Sequence, residues 1–190
     1  MKSLKISHQP LQNNAKELLK QYATIPIHYK YNHVYDFARE NGEYVKTLRE
    51  VKLDFKEYDI INPPSTWIEK FDLTDWLLIT IELNEIIIAG AVIAWKSDSM
   101  LDGRTDLGIL WDIRVDPPYR RKLYGTILFQ ETEKWLLSKN CTELRVETQN
   151  INVFSCDFYE KMGCHVDNVI ENAYPGLNEV MVIYSKSLKS

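Results

Sequence analysis

Residues 107–126 read LGILWDIRVDPPYRRKLYGT, the segment with the clearest structural pattern in the chain. From Ile109 to Val115 apolar and polar side chains alternate with a period of two, which predicts a strand with one apolar and one partly polar face. Asp116-Pro117-Pro118 ends that strand, because proline cannot continue it. Residues 126–139 contain neither Gly nor Pro and predict a helix. The stretch is therefore a strand, a basic loop and the start of a helix.

The loop carries the charges Arg120-Arg121-Lys122 directly before the helix. The first turn of a helix leaves its N–H groups without intrahelical partners and carries the positive end of the helix dipole. Such a loop and helix start can cradle a pyrophosphate. The alternative is an ordinary solvated basic turn.

The sequence on either side predicts further strands and helices. Two apolar runs around Asn84-Glu85 predict a hairpin, and Asn152–Met162 has the apolar spacing of an amphipathic helix. The complete set is strands at 76–83, 86–95, 109–115, 143–148, 165–170 and 179–186, with helices at 126–139 and 152–162. The order β-β-β-α-β-α-β-β predicts an α/β (α+β) fold with a mixed central sheet flanked by helices.

The first third of the chain is less informative. It predicts a helix at 14–22, a weaker helix at 34–40 ended by Asn41-Gly42, and a loop at 62–65. A further polar turn is expected at 97–105. We expect a single domain over 1–190, with a helical, acceptor-side part at 1–70 and a core at 75–188.

Composition and charge exclude several classes of protein. The chain has 190 residues, of which 45% are apolar, enough for a packed core, and its net charge of −4 argues against nucleic-acid binding. The three cysteines form no CxxC, and the four histidines lack metal-ligand spacing, so neither disulfides nor a metal are expected. No apolar run is long enough to cross a bilayer. We therefore expect a cytoplasmic protein that binds no membrane.

Residues 120–125 resemble motif A of the GNAT superfamily of acetyl-CoA-dependent N-acetyltransferases. That motif reads Arg or Gln, two residues, Gly, one residue, Gly or Ala, so that Arg120 and Gly125 match while Leu123 replaces the first Gly. If the Leu123 side chain points away from the phosphates, a change to glycine is expected to loosen the turn. Residues 152–163 resemble a second GNAT signature, Asn-x-x-Ala-x-x-Leu/Phe-Tyr-Glu-Lys-x-Gly, with Ser155 at the Ala position.

The resemblance implies a GNAT fold, with acetyl-CoA as co-substrate and no metal. Pantetheine is then expected along the strand edge, and a backbone N–H near Val115 is expected to polarise the thioester carbonyl. The residues implied to bind acetyl-CoA are Ile113, Arg114, Val115, Arg120, Arg121, Lys122, Leu123, Tyr124, Gly125, Thr126, Asn152 and Ser155. For Asn152, a plain helix cap is the alternative.

The resemblance also implies catalytic roles. Tyr159 is the family's usual general acid, which protonates the departing thiolate, and the alternative is a core aromatic residue. Asp112, on the polar strand face, is a candidate base, and the alternative is a structural salt bridge.

Two further carboxylates are candidates for the amine side of the reaction. Glu147 is expected to bind the acceptor ammonium or to share the base role, and the alternative is a pair with Arg145 or Lys122. Glu179 is the weaker candidate. Because no cysteine is placed as an acyl carrier, the amine is expected to attack acetyl-CoA directly in a ternary complex.

Three segments are similar to streptothricin acetyltransferases, which acetylate an amine on the β-lysine part of that antibiotic. They are residues 110–117, 146–153 and 174–177 with Glu179. The similarity implies a small cationic acceptor of streptothricin type. Acceptors left open are a polyamine, an aminoglycoside or a protein amine, and a non-catalytic acyl-CoA-binding module and a homodimer also stay open.

Overall fold

Strands and helices follow one another in the predicted order from the apolar hairpin onward. The computed structural model describes residues 3–96 and 104–189. The strands are β1 (Leu4–Pro10), β2 (His28–Glu40), β3 (Glu43–Glu57), β4 (Leu77–Leu83), β5 (Ile86–Trp95), β6 (Leu107–Val115), β7 (Glu143–Gln149), β8 (His165–Ile170) and β9 (Met181–Ser187). The helices are α1 (Ala15–Tyr22), α2 (Trp67–Lys70), α3 (Tyr124–Ser138) and α4 (Val153–Lys161), with 3₁₀ turns at Pro64–Thr66 and Pro117–Tyr119. The order from β4 to β9 confirms the predicted β-β-β-α-β-α-β-β.

The chain divides into two units. The first comprises Met1–Ile27, Glu57–Leu144 and Ser187–Ser190, and the second comprises His28–Lys56 and Arg145–Lys186.

The first unit is built on four antiparallel strands in the order β1-β4-β5-β6. The apolar runs of β4 and β5 are buried over most of their length, as continuous apolar strands require. Asn84 and Glu85 join them with φ of 52° and 67°, which are the left-handed values of a two-residue type I′ turn. The predicted hairpin is therefore confirmed.

Helices α1 and α3 cover opposite faces of this sheet. A Cβ built on Gly108 of β6 would lie 2.1 Å from the Leu136 side chain of α3. The next residue, Ile109, packs into the core cluster that contains Leu19 and Tyr22 of α1. Because successive residues of a strand point to opposite faces, α1 and α3 lie on opposite faces of the sheet.

Strand β6 carries a bulge at Trp111. Val92 of β5 pairs with Asp112 and the following Ile93 pairs with Leu110, so Trp111 is the extra residue. A bulge interrupts the alternation of side chains between the two faces. The sequence predicts Trp111 and Asp112 on opposite faces, whereas the bulge brings both to the side that α1 covers. The predicted alternation along β6 is wrong at this point.

The helix predicted at 34–40 is wrong, because this segment belongs to the long hairpin β2–β3 of the second unit. Asn41 and Gly42, interpreted from the sequence as a helix stop, have φ of 51° and 91° and form the hairpin turn. Asn-Gly between two runs rich in β-branched and aromatic residues is a strong hairpin signal. Residues 1–70 are therefore only partly helical, since β1 also lies there.

Besides the β2–β3 hairpin, the second unit contains three strands in the order β7-β9-β8. Asn150 joins three segments of this unit. Its side chain donates to the Tyr35 carbonyl of β2 at 3.1 Å and accepts from the Val180 N–H at 2.9 Å. Its backbone bonds to the same two residues at 3.0 Å each. A buried amide with every one of these bonds made fixes the chain just after β7.

The turn predicted at 97–105 lies mostly outside the described residues. Within the described part of the chain, no helix has both the length and the apolar character needed to cross a membrane.

Candidate active site

The loop before α3 has the backbone of an anion site. Arg121 and Leu123 have left-handed φ of 63° and 67°. The first intrahelical bond runs from the Ile127 N–H to the Leu123 carbonyl at 3.0 Å. The N–H groups of Tyr124 to Thr126 therefore precede the hydrogen-bond ladder of the helix, where a helix dipole favours an anion.

The basic side chains of the loop are exposed. Arg120 Nε donates to the Val115 carbonyl at 2.9 Å, and Lys122 Nζ donates to the Pro118 carbonyl at 2.9 Å. Both side chains thus fold back on their own loop and fix its shape. Their predicted contacts with phosphate stay predictions, as does that of Arg121.

Leu123 occupies the position of the first glycine of motif A. The backbone is left-handed at this position, which explains why the motif has glycine there. The left-handed conformation costs a residue with a Cβ about 1–2 kcal/mol. The Leu123 side chain is 68% exposed, so it gains little from packing. Family glycine and observed geometry agree, and the leucine adds strain without filling the loop.

Leu123→Gly should raise the free energy of unfolding by about 0.5–1 kcal/mol. The relief of left-handed strain exceeds the roughly 0.5–1 kcal/mol of backbone entropy that glycine loses on folding. This reverses the expectation that glycine loosens the turn. Urea unfolding of wild type, Leu123→Gly and Leu123→Ala measures it, since alanine keeps the Cβ and its strain. A glycine variant less stable than the alanine variant would contradict this account.

Asp112 lies in a buried ion-pair network of the first unit. Arg114, 3% exposed, donates from Nε to Asp112 at 2.7 Å and from both terminal nitrogens to Asp59 at 2.8 and 2.9 Å. Arg114 also donates to the Ile25 carbonyl at 3.2 Å and lies 5.0 Å from the Tyr22 ring centroid. The guanidinium of Arg114 on β6 therefore links this strand to α1 and to the segment that contains Asp59.

The network favours a structural role for Asp112. Burial raises the pKa of Asp112, and the Arg114 guanidinium opposes that shift. A carboxylate already paired with a buried cation is poorly placed to take up a second one. The structural salt bridge, which the sequence left open as the alternative role of Asp112, is thus present. The base role of Asp112 stays a prediction, and the pair with Arg114 argues against it.

The remaining predicted residues of β6 lie near its end. Ile113 pairs with Ala91 and Val115 with Ala89 of β5. Arg114, predicted as an acetyl-CoA contact, instead has its guanidinium buried in the ion-pair network. The contacts of Ile113 and Val115 with pantetheine stay predictions.

Helix α4 places the signature residues of the second unit. The Asn152 side-chain oxygen caps the helix by accepting from the Ser155 N–H at 3.2 Å. The helix cap, which the sequence left open as the alternative role of Asn152, is therefore present. It uses the oxygen of Asn152 and leaves the side-chain NH₂ as a donor, so that capping and a contact with pantetheine are compatible.

Tyr159 lies on the buried side of α4 and is 4% exposed. Its ring centroid lies 5.5 Å from that of Phe158 and 5.8 Å from that of Tyr184. The neighbouring Tyr184 hydroxyl donates to Glu160 at 3.2 Å. Tyr159 thus has the environment of a core aromatic residue, which the sequence left open as the alternative. The role of Tyr159 as general acid stays a prediction.

Glu147 and Tyr174 meet in the second unit. The Tyr174 hydroxyl donates to Glu147 Oε1 at 2.7 Å and accepts from Gln149 Nε2 at 2.8 Å. Glu147 is exposed by its surface area, yet enough protein surrounds its carboxyl that desolvation raises its pKa. The hydrogen bond from Tyr174 opposes that shift. The structure thus joins two of the segments noted from the sequence, 146–153 and 174–177.

Glu147 lacks the structural partners weighed for it. Arg145 pairs with Asp167 at 3.9 Å, and Lys122 with its own loop. Within residues 3–96 and 104–189 the Glu147 carboxylate forms no ion pair, whereas the buried Glu179 pairs with the buried Lys56.

Four residues that contact the candidate site residues, or their neighbours, were not predicted from the sequence. Tyr174 and Gln149 belong to quoted segments but received no role, and their contact with Glu147 needs the folded chain. Asp59 and Lys56 stand in segments with no motif, and no sequence signal assigns them. Across the described ranges, no group of three or more His, Cys, Asp or Glu side chains is arranged to hold a metal ion.

Comparison with known proteins gives two sequence matches. The family model described as Acetyltransferase (GNAT) family matches residues 32–164. Streptothricin acetyltransferase A of Bacillus subtilis (strain 168) is 32% identical over 80 residues, which cover 40% of this chain and 46% of that protein. The match thus spans less than half the length of this relative.

Solved structures share the fold over nearly the whole chain. One assigned as a streptothricin acetyltransferase from Bacillus anthracis str. Ames, in complex with acetyl coenzyme A, has a TM-score of 0.76 at 23% identity, covering 97% of this chain and 99% of that one. Nourseothricin acetyltransferase has a TM-score of 0.72 at 14% identity, covering 98% and 99%. An aminoglycoside 6'-N-acetyltransferase complexed with coenzyme A has 0.63 at 13% identity, covering 98% of each. These likenesses confirm the predicted fold, a mixed central sheet flanked by helices.

Proposed function

The chain belongs to the GNAT acetyltransferase family, and on that premise we propose that it moves an acetyl group from acetyl-CoA to a primary amine of a small cationic acceptor. The acceptor we propose is a streptothricin-type antibiotic. The relative from Bacillus subtilis that carries this name supports the choice, as do the segments that hold Glu147 and Tyr174.

The main support for a cationic acceptor is the negative charge of Glu147, which no cationic side chain balances in the described part of the chain. Of the three carboxylates singled out in the sequence, Asp112 is matched by Arg114 and Glu179 by Lys56. In the described part of the chain, Glu147 alone among them lacks a cationic partner. An alkylammonium supplies that partner, and a charge-assisted hydrogen bond to a carboxylate is among the stronger polar contacts.

The residues proposed to bind acetyl-CoA come from the two family motifs. In the first unit, the N–H groups at the start of α3 are the proposed ligands of the pyrophosphate, with the exposed Arg121 as an additional cation. In the second unit, Asn152 is the proposed donor to pantetheine.

The proposed chemistry is a direct transfer. Glu147 binds the acceptor ammonium and takes its proton, and its raised pKa makes it a better proton acceptor than an ordinary glutamate. The amine nitrogen then attacks the thioester carbonyl, and the carbon–sulfur bond breaks. Tyr159 donates its phenolic proton to the leaving thiolate, and the second proton released by the attacking nitrogen restores the phenol, so that a neutral amide and free CoA leave the site.

The cysteines support transfer without an acyl-enzyme. Cys141, Cys156 and Cys164 are all buried. Burial raises the pKa of Cys141 to about 11 and that of Cys156 to about 12. Because the thiolate is the nucleophilic form, the Cys141 and Cys156 side chains are inert near neutral pH.

Glu147→Gln should raise the KM for a cationic acceptor about 10–100-fold, which corresponds to roughly 1–3 kcal/mol. The amide keeps the shape of the side chain and removes the charge that the ammonium contacts. The KM for acetyl-CoA should stay unchanged. Steady-state kinetics with streptothricin, a polyamine, an aminoglycoside and a peptide amine measure both constants.

The matched control is Glu50→Gln, which removes an exposed carboxylate on β3 of the same unit. It should leave both KM values within about twofold. Equal kcat/KM for wild type and Glu147→Gln with every amine would remove Glu147 from the acceptor site, and Glu179 would be the next carboxylate to replace.

A further inference from the structure

Tyr174 forms a directional link between Gln149 and Glu147. An ionised carboxylate only accepts hydrogen bonds, so the single proton of the Tyr174 hydroxyl must point at Glu147 Oε1, 2.7 Å away. The hydroxyl oxygen then accepts from the Gln149 amide at 2.8 Å. Burial and the neighbouring Glu147 raise the pKa of Tyr174, so that its proton is retained. The chain of bonds runs one way, from Gln149 through Tyr174 to Glu147.

The backbone holds Tyr174 in place for this contact. Tyr174-Pro175-Gly176-Leu177 forms a β-turn closed by the Leu177 N–H and the Tyr174 carbonyl at 3.0 Å. Pro175 fixes its own φ, and Gly176 has φ of 78°, the arrangement of a type II turn. A turn that these two residues preset costs little entropy to order. Tyr174 is therefore presented by a stiff corner of the chain.

The other charges near Glu147 in the second unit are matched. Arg145, two residues earlier on the same face of β7, pairs with Asp167, and Glu179 pairs with Lys56. The Glu147 carboxylate uses Oε1 for Tyr174 and makes no other hydrogen bond to a described residue. Its second oxygen is thus the acceptor that the site presents.

We propose that Tyr174 is the positioning residue of the acceptor site, which orients the Glu147 carboxylate so that its second oxygen meets the acceptor ammonium. This inference rests on the proposed function. It deepens that function by placing selectivity for cationic amines in a pair of side chains from β7 and the 174–177 turn. Gln149 donates to the Tyr174 oxygen, which leaves the Tyr174 proton for Glu147.

Tyr174→Phe should raise the KM for the cationic acceptor about 10-fold, with kcat and the KM for acetyl-CoA within about twofold of wild type. The ring and the turn remain, and only the hydroxyl that orients Glu147 is lost. Tyr44→Phe is the matched control, because it removes an exposed hydroxyl that donates to Asn168 at 3.3 Å in the same unit. An unchanged acceptor KM in Tyr174→Phe, with an active wild type, overturns the proposal.

A second measurement does not depend on turnover. The carboxyl ¹³C shift of Glu147, followed by NMR against pH, reports its pKa in the full chain. Loss of the Tyr174 hydrogen bond should raise that pKa, because the bond favours the ionised form. Tyr44→Phe should leave it unchanged. A Glu147 pKa that is equal in wild type and Tyr174→Phe overturns the positioning role, even if the wild type acetylates no amine and the proposed function fails.

Discussion

Replacing Arg114 with methionine should lower the free energy of unfolding by about 3–5 kcal/mol. Methionine fills a similar volume but leaves Asp112 and Asp59 without their cation, and burial penalises the charge of Asp112. Breaking a buried ion pair by removing one partner costs about this much, because an uncompensated charge stays behind. Urea unfolding of the purified variant measures the loss.

Asp112→Asn is the informative companion to this variant. It keeps the two bonds between Arg114 and Asp59, so the loss of stability should be about 1–2 kcal/mol. Its kcat should stay within about twofold of wild type if Asp112 serves only the network. An Asp112→Asn variant with wild-type stability and a kcat about 100-fold lower would restore the base role predicted from the sequence.

Tyr159→Phe should lower kcat about 100-fold and leave the KM for acetyl-CoA nearly unchanged. The change removes only the hydroxyl from a ring buried between neighbours, so that packing is kept while the proton for the thiolate is lost. Rapid-quench or steady-state assays at saturating substrates measure the effect.

Tyr184→Phe is the control for Tyr159, since the two rings lie 5.8 Å apart and the Tyr184 hydroxyl donates to Glu160. This variant should turn over within about twofold of wild type. Equal kcat for wild type and Tyr159→Phe would remove Tyr159 from the mechanism and make it a core aromatic residue.

Local sequence patterns were sufficient for the core but not for the N-terminal third. Strands β4 to β6 and helices α3 and α4 have strong period-two or helical spacing, and their boundaries agree with the prediction within a few residues. Strand β1 has no such signal, and at β2 the Asn41-Gly42 pair was interpreted as a helix stop. The bulge at Trp111 also leaves no mark in the alternation of β6.

The candidate site shows the same division. Asn152 and Tyr159 could be named because both lie in the contiguous segment 152–163 that resembles a GNAT signature. Arg114 and Asp59 are 55 residues apart, and Tyr174 and Glu147 are 27 apart, so their pairing needs the folded chain. The strain at Leu123 likewise depends on a backbone angle that no side-chain pattern states.

The proposed reaction is tested by measuring the transfer of an acetyl group to a defined amine. The wild type is incubated with acetyl-CoA and streptothricin, and mass spectrometry identifies the product while released CoA is titrated with DTNB. We expect one acetyl group on a primary amine of the antibiotic for each CoA released, and no acetyl adduct on the protein. No acetylated product from streptothricin, a polyamine, an aminoglycoside or a peptide amine, at saturating acetyl-CoA, would contradict it.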